Sequence, residues 1–374
     1  MRILHFGKFY PPFNGGMEIY LRDLAEQQSL NHTVTALVHN HQFKTIKSDT
    51  QEDTINNVKV IRQKTLKPIL FTPIMLGANK RVSQLIDNNK VDVIHISWPN
   101  PSALFLLLNK KAKSKPWVIQ WQSDMVTQHS SWLLKLAYQV FKPFERILLK
   151  RANLVIASTE EYFKYSIALK GFKKKCHFVP LALNNTPQVV NEKDSQWAQQ
   201  LWGDAKYKVY NIGRLTFYKN QQLLIQAAKL LPDAKFLITG SGELESNLIQ
   251  QIQDLRVNNI ILTGGLDRTK LTALLVSCDV FCLPSNDRAE SYGMVLLEAL
   301  ELHKKILVSD LAGSGMKWIA SQTPNGMTFE NNNCADLVKK IKLSSSQNEN
   351  KIDNTIFQIE NCANAIEKLY KTIT

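Results

Sequence analysis

Segments of strand character and segments of helix character alternate along nearly the whole of this chain, and that alternation constrains the fold more than any other feature. Strand-like runs stand at 2–6, 33–38, 58–62, 92–96, 117–121, 154–157 and 177–180, and again at 208–212, 235–239, 259–263, 280–283 and 305–308. Helical patterns fill the intervals, notably 17–28, 77–88, 131–150 and 221–231. Parallel strands need a crossover, usually a helix, so this order predicts parallel sheets covered by helices on both faces. At 374 residues the chain is too long for one ordinary core. Two Rossmann-like, doubly wound α/β domains are expected. The polar stretch 183–206, with Asn184-Asn-Thr-Pro187, marks the linker. The first domain is therefore placed at 1–185 and the second at 186–354. A last helix near 357–373 follows the polar run 344–354.

The net charge of +14 is not shared between the halves. Residues 1–185 hold 26 Lys and Arg against 12 Asp and Glu, an excess equal to that of the whole chain, so the second half is neutral. Basic clusters lie at Lys110-Lys-Ala-Lys-Ser-Lys115, at 142–151 and at Lys173-Lys-Lys175, interleaved with Trp117, Trp132, Tyr138, Phe141 and Phe144. That pattern suits an anionic membrane surface, with a merely solvated basic surface as the alternative. Nucleic acid is not expected as a partner, because no motif for it accompanies the charge. The start, Met1-Arg-Ile-Leu-His-Phe-Gly7, is too short in apolar length for a signal peptide, and no run approaches the ~20 apolar residues of a spanning helix. Five cysteines (Cys176, Cys278, Cys282, Cys334, Cys362) without a Cys-x-x-Cys pair read as free thiols of a cytoplasmic protein. Cys278 and Cys282 lack companions for a metal site.

Chemistry concentrates in the second half. Glu290-Ser-Tyr-Gly-Met-Val-Leu-Leu-Glu298 follows a buried strand that ends in Leu283-Pro-Ser285 and leads into a run of good helix formers. One carboxylate falls in the loop and the other in the first turns of a helix. Between them lies a helix N-terminus, whose free N–H groups favour an anion. Upstream, Val209-Tyr-Asn-Ile-Gly-Arg-Leu-Thr-Phe-Tyr-Lys-Asn220 places Arg214 and Lys219 just after a strand. A guanidinium fork and a mobile ammonium there suit phosphate oxygens at the strand ends, where open α/β sheets bind ligands. Flanking polyols around a phosphate describe a nucleotide-sugar. Taken alone, two glutamates beside an apolar stretch are ordinary helix-end charges; together with the Gly-Arg…Lys element they are more specific.

With these segments the chain resembles glycosyltransferase family 4, retaining enzymes of the two-domain GT-B fold. Phe9-Tyr-Pro-Pro-Phe-Asn-Gly-Gly-Met-Glu18 is similar to the family's opening glycine-rich loop and Ile212-Gly-Arg-Leu-Thr-Phe-Tyr-Lys219 to its phosphate-binding segment. Ile238-Thr-Gly-Ser-Gly-Glu243 and Leu262-Thr-Gly-Gly-Leu-Asp267 match two further strand-end turns, and Glu290 to Glu298 matches its Glu-x7-Glu signature. Gly313-Ser-Gly315 resembles a variant seen in transferases of bacterial surface-polysaccharide and lipopolysaccharide synthesis.

The resemblance implies two domains facing across a cleft, with the last helix crossing back onto the first. It implies hexose transfer from a nucleotide-sugar donor to a glycan or lipid-linked acceptor, with no metal and no other cofactor. Arg214 and Lys219 would neutralise the diphosphate, Glu298 would accept from the ribose and Glu290 from the transferred sugar. The backbone near Ser291, Gly293 and Met294 would complete the phosphate cradle, and Gly265 and Leu266 would line the base pocket. Gly15 and Gly16 would let the other domain approach the phosphate. Gly213–Lys219 is loosely similar to the segment of mannosyltransferases with a guanosine donor, so GDP-mannose is expected ahead of a UDP-sugar. The chain departs from the family at Gln122, in Gln120-Trp-Gln-Ser-Asp124, where a histidine is common. Glutamine shuttles no proton at neutral pH, which leaves Asp124, His129 or the leaving phosphate to take that part. Glu301-Leu-His-Lys-Lys305 also replaces a usual Gly and Pro. A GT-B phosphorylase or epimerase, and a nucleotide-sugar-binding subunit without turnover, stay open as alternatives. Acceptor choice is expected in the loops 42–57 and 64–79.

Overall fold

In the computed structural model, described for residues 1–374 apart from 14, 43–44, 47–48, 70–71, 126–131, 185–188 and 346–349, the chain forms two compact units. One comprises Met1–Asn184 with Thr355–Thr374, the other Asn185–Asn354.

Among the described residues the first unit holds an eight-stranded sheet. Its strands are β1 (Arg2–Phe6), β2 (Thr33–His39), β3 (Gln51–Ile55), β4 (Val58–Gln63), β5 (Val93–Trp98), β6 (Trp117–Trp121), β7 (Leu154–Ala157) and β8 (Cys176–Phe178). Their spatial order is β8-β7-β6-β5-β1-β2-β4-β3. All neighbours run parallel except the β3–β4 pair. The inner strands are buried along nearly their whole length, as a sheet covered on both faces requires. Leu4, Ile94, Ile96, Trp98, Trp117, Ile119 and Trp121 lie in one core with Leu148, Leu149 and Tyr162. The C-terminal helix Ile359–Tyr370 packs on the helix Gly16–Ser29. Tyr370 Oη lies 2.5 Å from His95 Nδ1, and Tyr20 Oη 3.5 Å from Cys362 Sγ.

The second unit's sheet contains β9 (Tyr207–Ile212), β10 (Ala234–Thr239), β11 (Ile260–Gly264), β12 (Val280–Leu283), β13 (Lys305–Asp310) and β14 (Gly326–Glu330). All are parallel, in the order β11-β10-β9-β12-β13-β14. The direction of winding therefore reverses between β9 and β12. Asn211 ties that junction together, its Nδ2 donating to Cys282 O at 2.8 Å.

The polar stretch 183–206 carries the division between the units, after Asn184, and then a helix, Glu192–Trp202, which Asn191 caps by accepting from Asp194 N at 2.8 Å. Three expectations are corrected. The first sheet is not wholly parallel, because Gln51–Ile55 turns back on β4 through Asn56 and Asn57 at φ 44° and 66°. The regions 42–57 and 64–79, expected as loops, carry the strands Gln51–Ile55, Thr65–Ile69 and Thr72–Met75. Trp117, expected at a lipid surface, is fully buried, and its indole donates to Ala112 O at 2.7 Å. Part of the apolar interleaving therefore belongs to the core.

Candidate active site

Because every strand of the second sheet runs the same way, the segments that follow them all emerge at one edge. Gly213 and Arg214 leave β9 there, Gly240 to Gly242 leave β10, Gly264 to Leu266 leave β11, and Pro284 to Gly293 leave β12. The reversal between β9 and β12 opens a crevice at that edge, the place where such sheets take ligands.

The approach of β9 and β10 depends on glycine. Gly240 has φ +145°, and a Cβ there would stand 2.0 Å from Gly213 O. The segments are then laced together by Gly213 N to Thr239 O and Leu215 N to Ser241 O, both 3.0 Å. Arg214 is exposed at the start of the turn, while Lys219 ends a short helical turn, Phe217–Lys219, and folds its stem back across Gly213.

Lys219 Nζ pairs with Glu290 Oε2. Both residues are buried, yet both are charged partners, the arrangement that makes such burial tolerable. Burial by itself would lower the Lys219 pKa. The charge of Glu290, Tyr218 and the hydrogen bond to Glu290 outweigh that and the repulsion of Arg214, and hold it above the ordinary lysine value. The ammonium therefore keeps its charge throughout the neutral range. It has three donors, so a ligand oxygen can be added to the carboxylate. Glu290 is fixed in turn: Ser285 Oγ donates to its Oε2 at 3.4 Å, and Ser314 Oγ to its backbone oxygen at 2.6 Å. Gly315 N donates to Ser291 O at 2.8 Å, which pins the next residue.

Gly293 then starts the helix Met294–Glu301 from φ +88°, and a Cβ there would meet Leu296 Cδ1 at 2.9 Å. No side chain caps this terminus and no acid stands in its first turn. Its amides and partial positive charge are offered beside the Lys219–Glu290 pair. On the other side Arg214 reaches Glu243 electrostatically. Although burial works to raise the Glu243 carboxyl pKa, a hydrogen bond from Thr216 and the Arg214 charge bring it below the usual value.

Glu298 is placed differently. It lies in the same helix but is bridged by Arg268 Nη1 at 2.7 Å, with side-chain exposures of 15% for the glutamate and 50% for the arginine. Arg268 begins the helix Arg268–Ser277, whose cap is Asp267, directly after exposed Gly265 and half-buried Leu266. The structure thus brings Arg214, Lys219, Glu290, Ser291, Gly293 and Met294 to the crevice. Gly265 and Leu266 share the edge two strands away, and Glu298 is held by a cation that sequence reasoning passed over. No signal marks Arg268, which stands 30 positions from its partner. Ser285 and Ser314 were also missed; the first is visible as a polar residue closing a buried strand.

In the first unit the expected residues share the corresponding sheet edge. Gly15 is the N-cap of Gly16–Ser29, and its Cα faces Glu18, whose Oε2 would lie 2.3 Å from a Cβ at Gly15. Gln122 follows β6 and is 3% exposed, with no hydrogen-bond partner for either Oε1 or Nε2 among the described residues. A buried amide left open at both ends is costly and is the mark of a group waiting for a ligand or water. Asp124 is engaged otherwise: Oδ1 accepts from Trp121 Nε1 at 3.0 Å and from Ser166 Oγ at 2.6 Å, and its N–H meets Tyr162 Oη at 2.6 Å. These contacts fix its position at the strand end. His129 lies outside the described residues. Among those residues no group of three His, Cys, Asp or Glu side chains is arranged to hold a metal ion.

Two doubly wound units with a basic and acidic constellation at a strand-order reversal define a GT-B glycosyltransferase. Residues 14–185 match the model of Glycosyltransferase Family 4 and residues 192–358 that of Glycosyl transferases group 1, and the chain belongs to this family. Among curated proteins it is 26% identical over 345 residues to the O-antigen chain mannosyltransferase C of Escherichia coli, covering 91% of this chain and 87% of that one. It is 25% identical over 332 residues to the D-rhamnosyltransferase WbpZ of Pseudomonas aeruginosa, covering 87% and 82%. Among solved structures, Anabaena HepE in complex with UDP and glucose superposes with a TM-score of 0.74 over the whole of both chains at 18% identity. The trehalose-6-phosphate synthase OtsA does so with a TM-score of 0.75 at 10% identity. Likenesses at these identities establish the fold.

Proposed function

We propose that this glycosyltransferase moves a hexose, with retention of anomeric configuration, from a nucleoside-diphosphate sugar to a lipid-linked or oligosaccharide acceptor in surface-polysaccharide assembly. The observation that carries this reading is the buried Lys219–Glu290 pair, set at the strand-order reversal beside Arg214 and the uncapped start of Met294–Glu301. A diphosphate there would meet two cations and a helix terminus. These hold it in the ground state and stabilise the charge that grows on it as the anomeric C–O bond breaks. That charge supply makes a divalent metal unnecessary, and none is assigned, nor any other cofactor. The free oxygen of Glu290 would accept from a hexose hydroxyl, and Glu298, once Arg268 turns aside, from the ribose.

Retention is assigned to a same-face displacement. The bond from the anomeric carbon to the acceptor oxygen forms on the face the phosphate leaves, and the acceptor proton passes to the departing phosphate oxygen. Gln122 cannot take that proton, and its open amide is assigned to orienting the acceptor hydroxyl. Relatives named as a mannosyltransferase and a D-rhamnosyltransferase favour a mannosyl or related sugar; we take its carrier to be GDP, with a UDP-sugar second. We place the enzyme at the cytoplasmic face of a membrane, held by the basic first unit. No helix among the described residues is long and apolar enough to cross one.

A thermal-shift screen of nucleoside diphosphates tests the donor site, since a selective ligand at a hundredfold excess over its Kd stabilises by about 2.7 kcal/mol. Candidate sugar donors are then assayed for release of nucleoside diphosphate that requires an acceptor and survives chelator, with the product's anomeric configuration read by NMR. Stabilisation by no nucleotide refutes the donor site. Binding without turnover on any acceptor would leave a binding subunit.

A further inference from the structure

The helix Trp132–Arg151 in the first unit has an apolar face that no other described residue covers. Its core side is occupied by Glu145, Leu148 and Leu149, with Phe141 stacked on Trp98 at 5.9 Å. On the outer side Trp132, Leu133, Leu136, Val140, Phe144 and Ile147 are exposed, Trp132 by 75% and Val140 by 72%. At about 100° per residue these six project within an arc of about 120°. Lys135, Lys142, Arg146 and Lys150 fall together on the adjoining flank, within about 80° of one another. The cross-section therefore has three sectors: core, bare apolar face and basic flank. The helical turn Pro101–Leu108 packs against this helix and adds exposed Phe105 and Leu108, followed by exposed Lys110, Lys111 and Lys113.

We infer that this face docks on an anionic lipid bilayer, the helix lying in the interfacial plane. The inference rests on the membrane reading proposed above and deepens it by naming the surface. Large exposed apolar groups gathered on one helix mark an interaction site. The flank chooses the partner. An interfacial helix sets its apolar side among the upper acyl chains and its lysines among the headgroups, with aromatic rings at the boundary, and this helix has each part in place. The unit that carries it also carries the chain's entire excess of positive charge. A second copy of the chain fits poorly, because a twofold contact presents the same surface from both sides and would set basic flank near basic flank. Docking here would bring the first unit to the lipid where a lipid-linked acceptor resides.

Sedimentation of the full chain with vesicles of mixed phosphatidylethanolamine and phosphatidylglycerol, and with vesicles of phosphatidylcholine alone, tests this. The native protein is expected to partition onto the anionic vesicles and to be released by salt. The exposed-position double variant Val140→Glu/Phe144→Glu should lose at least about 100-fold in partitioning. Lys135→Gln/Lys150→Gln should lose about 10-fold or more. Both should keep native melting and nucleoside-diphosphate stabilisation, which reports an intact fold. If the native chain binds and Val140→Glu/Phe144→Glu binds equally, this surface is wrong although the membrane reading stands. If the native chain ignores anionic vesicles, the membrane reading fails with it. Should the native chain dimerise and the variant be monomeric, with no lipid effect, a second copy is the occupant and the inference is overturned.

Discussion

Replacing Glu290 by glutamine keeps the shape of the side chain and removes its charge, and so tests the pair on which the site is built. The side chains of Lys219 and Glu290 are only 10% and 11% exposed. Removing one charge from a buried pair leaves the other uncompensated and costs about 3–5 kcal/mol. The amide still accepts a hydrogen bond from the ammonium, so the lower figure, ~3 kcal/mol, applies. In a unit of this size each kcal/mol moves Tm by about 2–4 °C, and the second unit's transition should fall by roughly 6–12 °C. The loss should depend on pH in a definite direction. In the native protein the Lys219 pKa is raised above 10.5, so the pair's contribution is complete at neutral pH and is lost only as pH rises through that raised value. In the variant, burial is no longer outweighed and lowers the lysine's pKa. The deficit is then full at neutral pH and shrinks as the pH approaches 10.5, where the unfolded chain also releases the proton. Thermal unfolding near pH 7 and near pH 10 measures both effects, the relevant transition being the one that bound nucleoside diphosphate shifts. A variant melting within about 1 °C of the parent at neutral pH, or with the same deficit at both, refutes the account of the pair.

Three further outcomes are expected. Gln122→Ala should leave stability within ~1 kcal/mol, because the amide it removes has no partner among the described residues, while the initial rate of transfer falls and nucleotide affinity measured by calorimetry stays. Arg268→Ala removes a half-exposed bridge to Glu298 worth about 0–1 kcal/mol, and should tighten nucleoside-diphosphate binding by up to about 5-fold. Weaker binding in calorimetry would mean that Arg268 itself holds the ligand. The Glu145 carboxyl is pushed up to about 7, chiefly by burial and also by the Asp124 charge, against the opposing effects of Tyr138, Lys142 and Trp98. Its contribution is present below 4.5 and lost as pH rises through about 7, a span of ~3 kcal/mol. Glu145→Gln should therefore match the native Tm near pH 5 and exceed it near pH 8.

What could be read from the sequence follows from how local each determinant is. Parallel strands buried on both faces announce themselves as apolar runs, and β12 (Val280–Leu283) was placed without error. The edge strand Gln51–Ile55 is polar and exposed over its first four residues, with Ile55 alone half-buried, so it carries almost no apolar signal. Only its Asn56-Asn57 turn betrays it. The helix Glu192–Trp202 was hidden by its charged surface, although Asn191 as cap and the spacing of Ala198 and Trp202 were there to be read. The site divides in the same way. Arg214, Lys219 and Glu290 follow strands that adjoin in the sheet, so strand-end position alone brings them together. Asp124 also accepts from Ser166, 42 positions away, and no local pattern records such a partner.

The two glutamates that resemble one another in the motif stand in different physical states, and the difference bears on how a donor would be received. Glu290 is buried, paired with a lysine that stays charged and bound through two serines, so its geometry exists before any ligand arrives. Glu298 is bridged by an arginine that is half in water, a contact that exchanges at little cost. On the proposed assignment the phosphate and hexose meet a preorganised surface, whereas the ribose must displace Arg268. Binding energy at the nucleoside end is then partly spent on that exchange, and the rigid end is the one where the bond breaks. Preorganisation is most effective where charge develops in the transition state, which is why the buried glutamate, with Lys219 fixed beside it, belongs at the hexose end next to the phosphate.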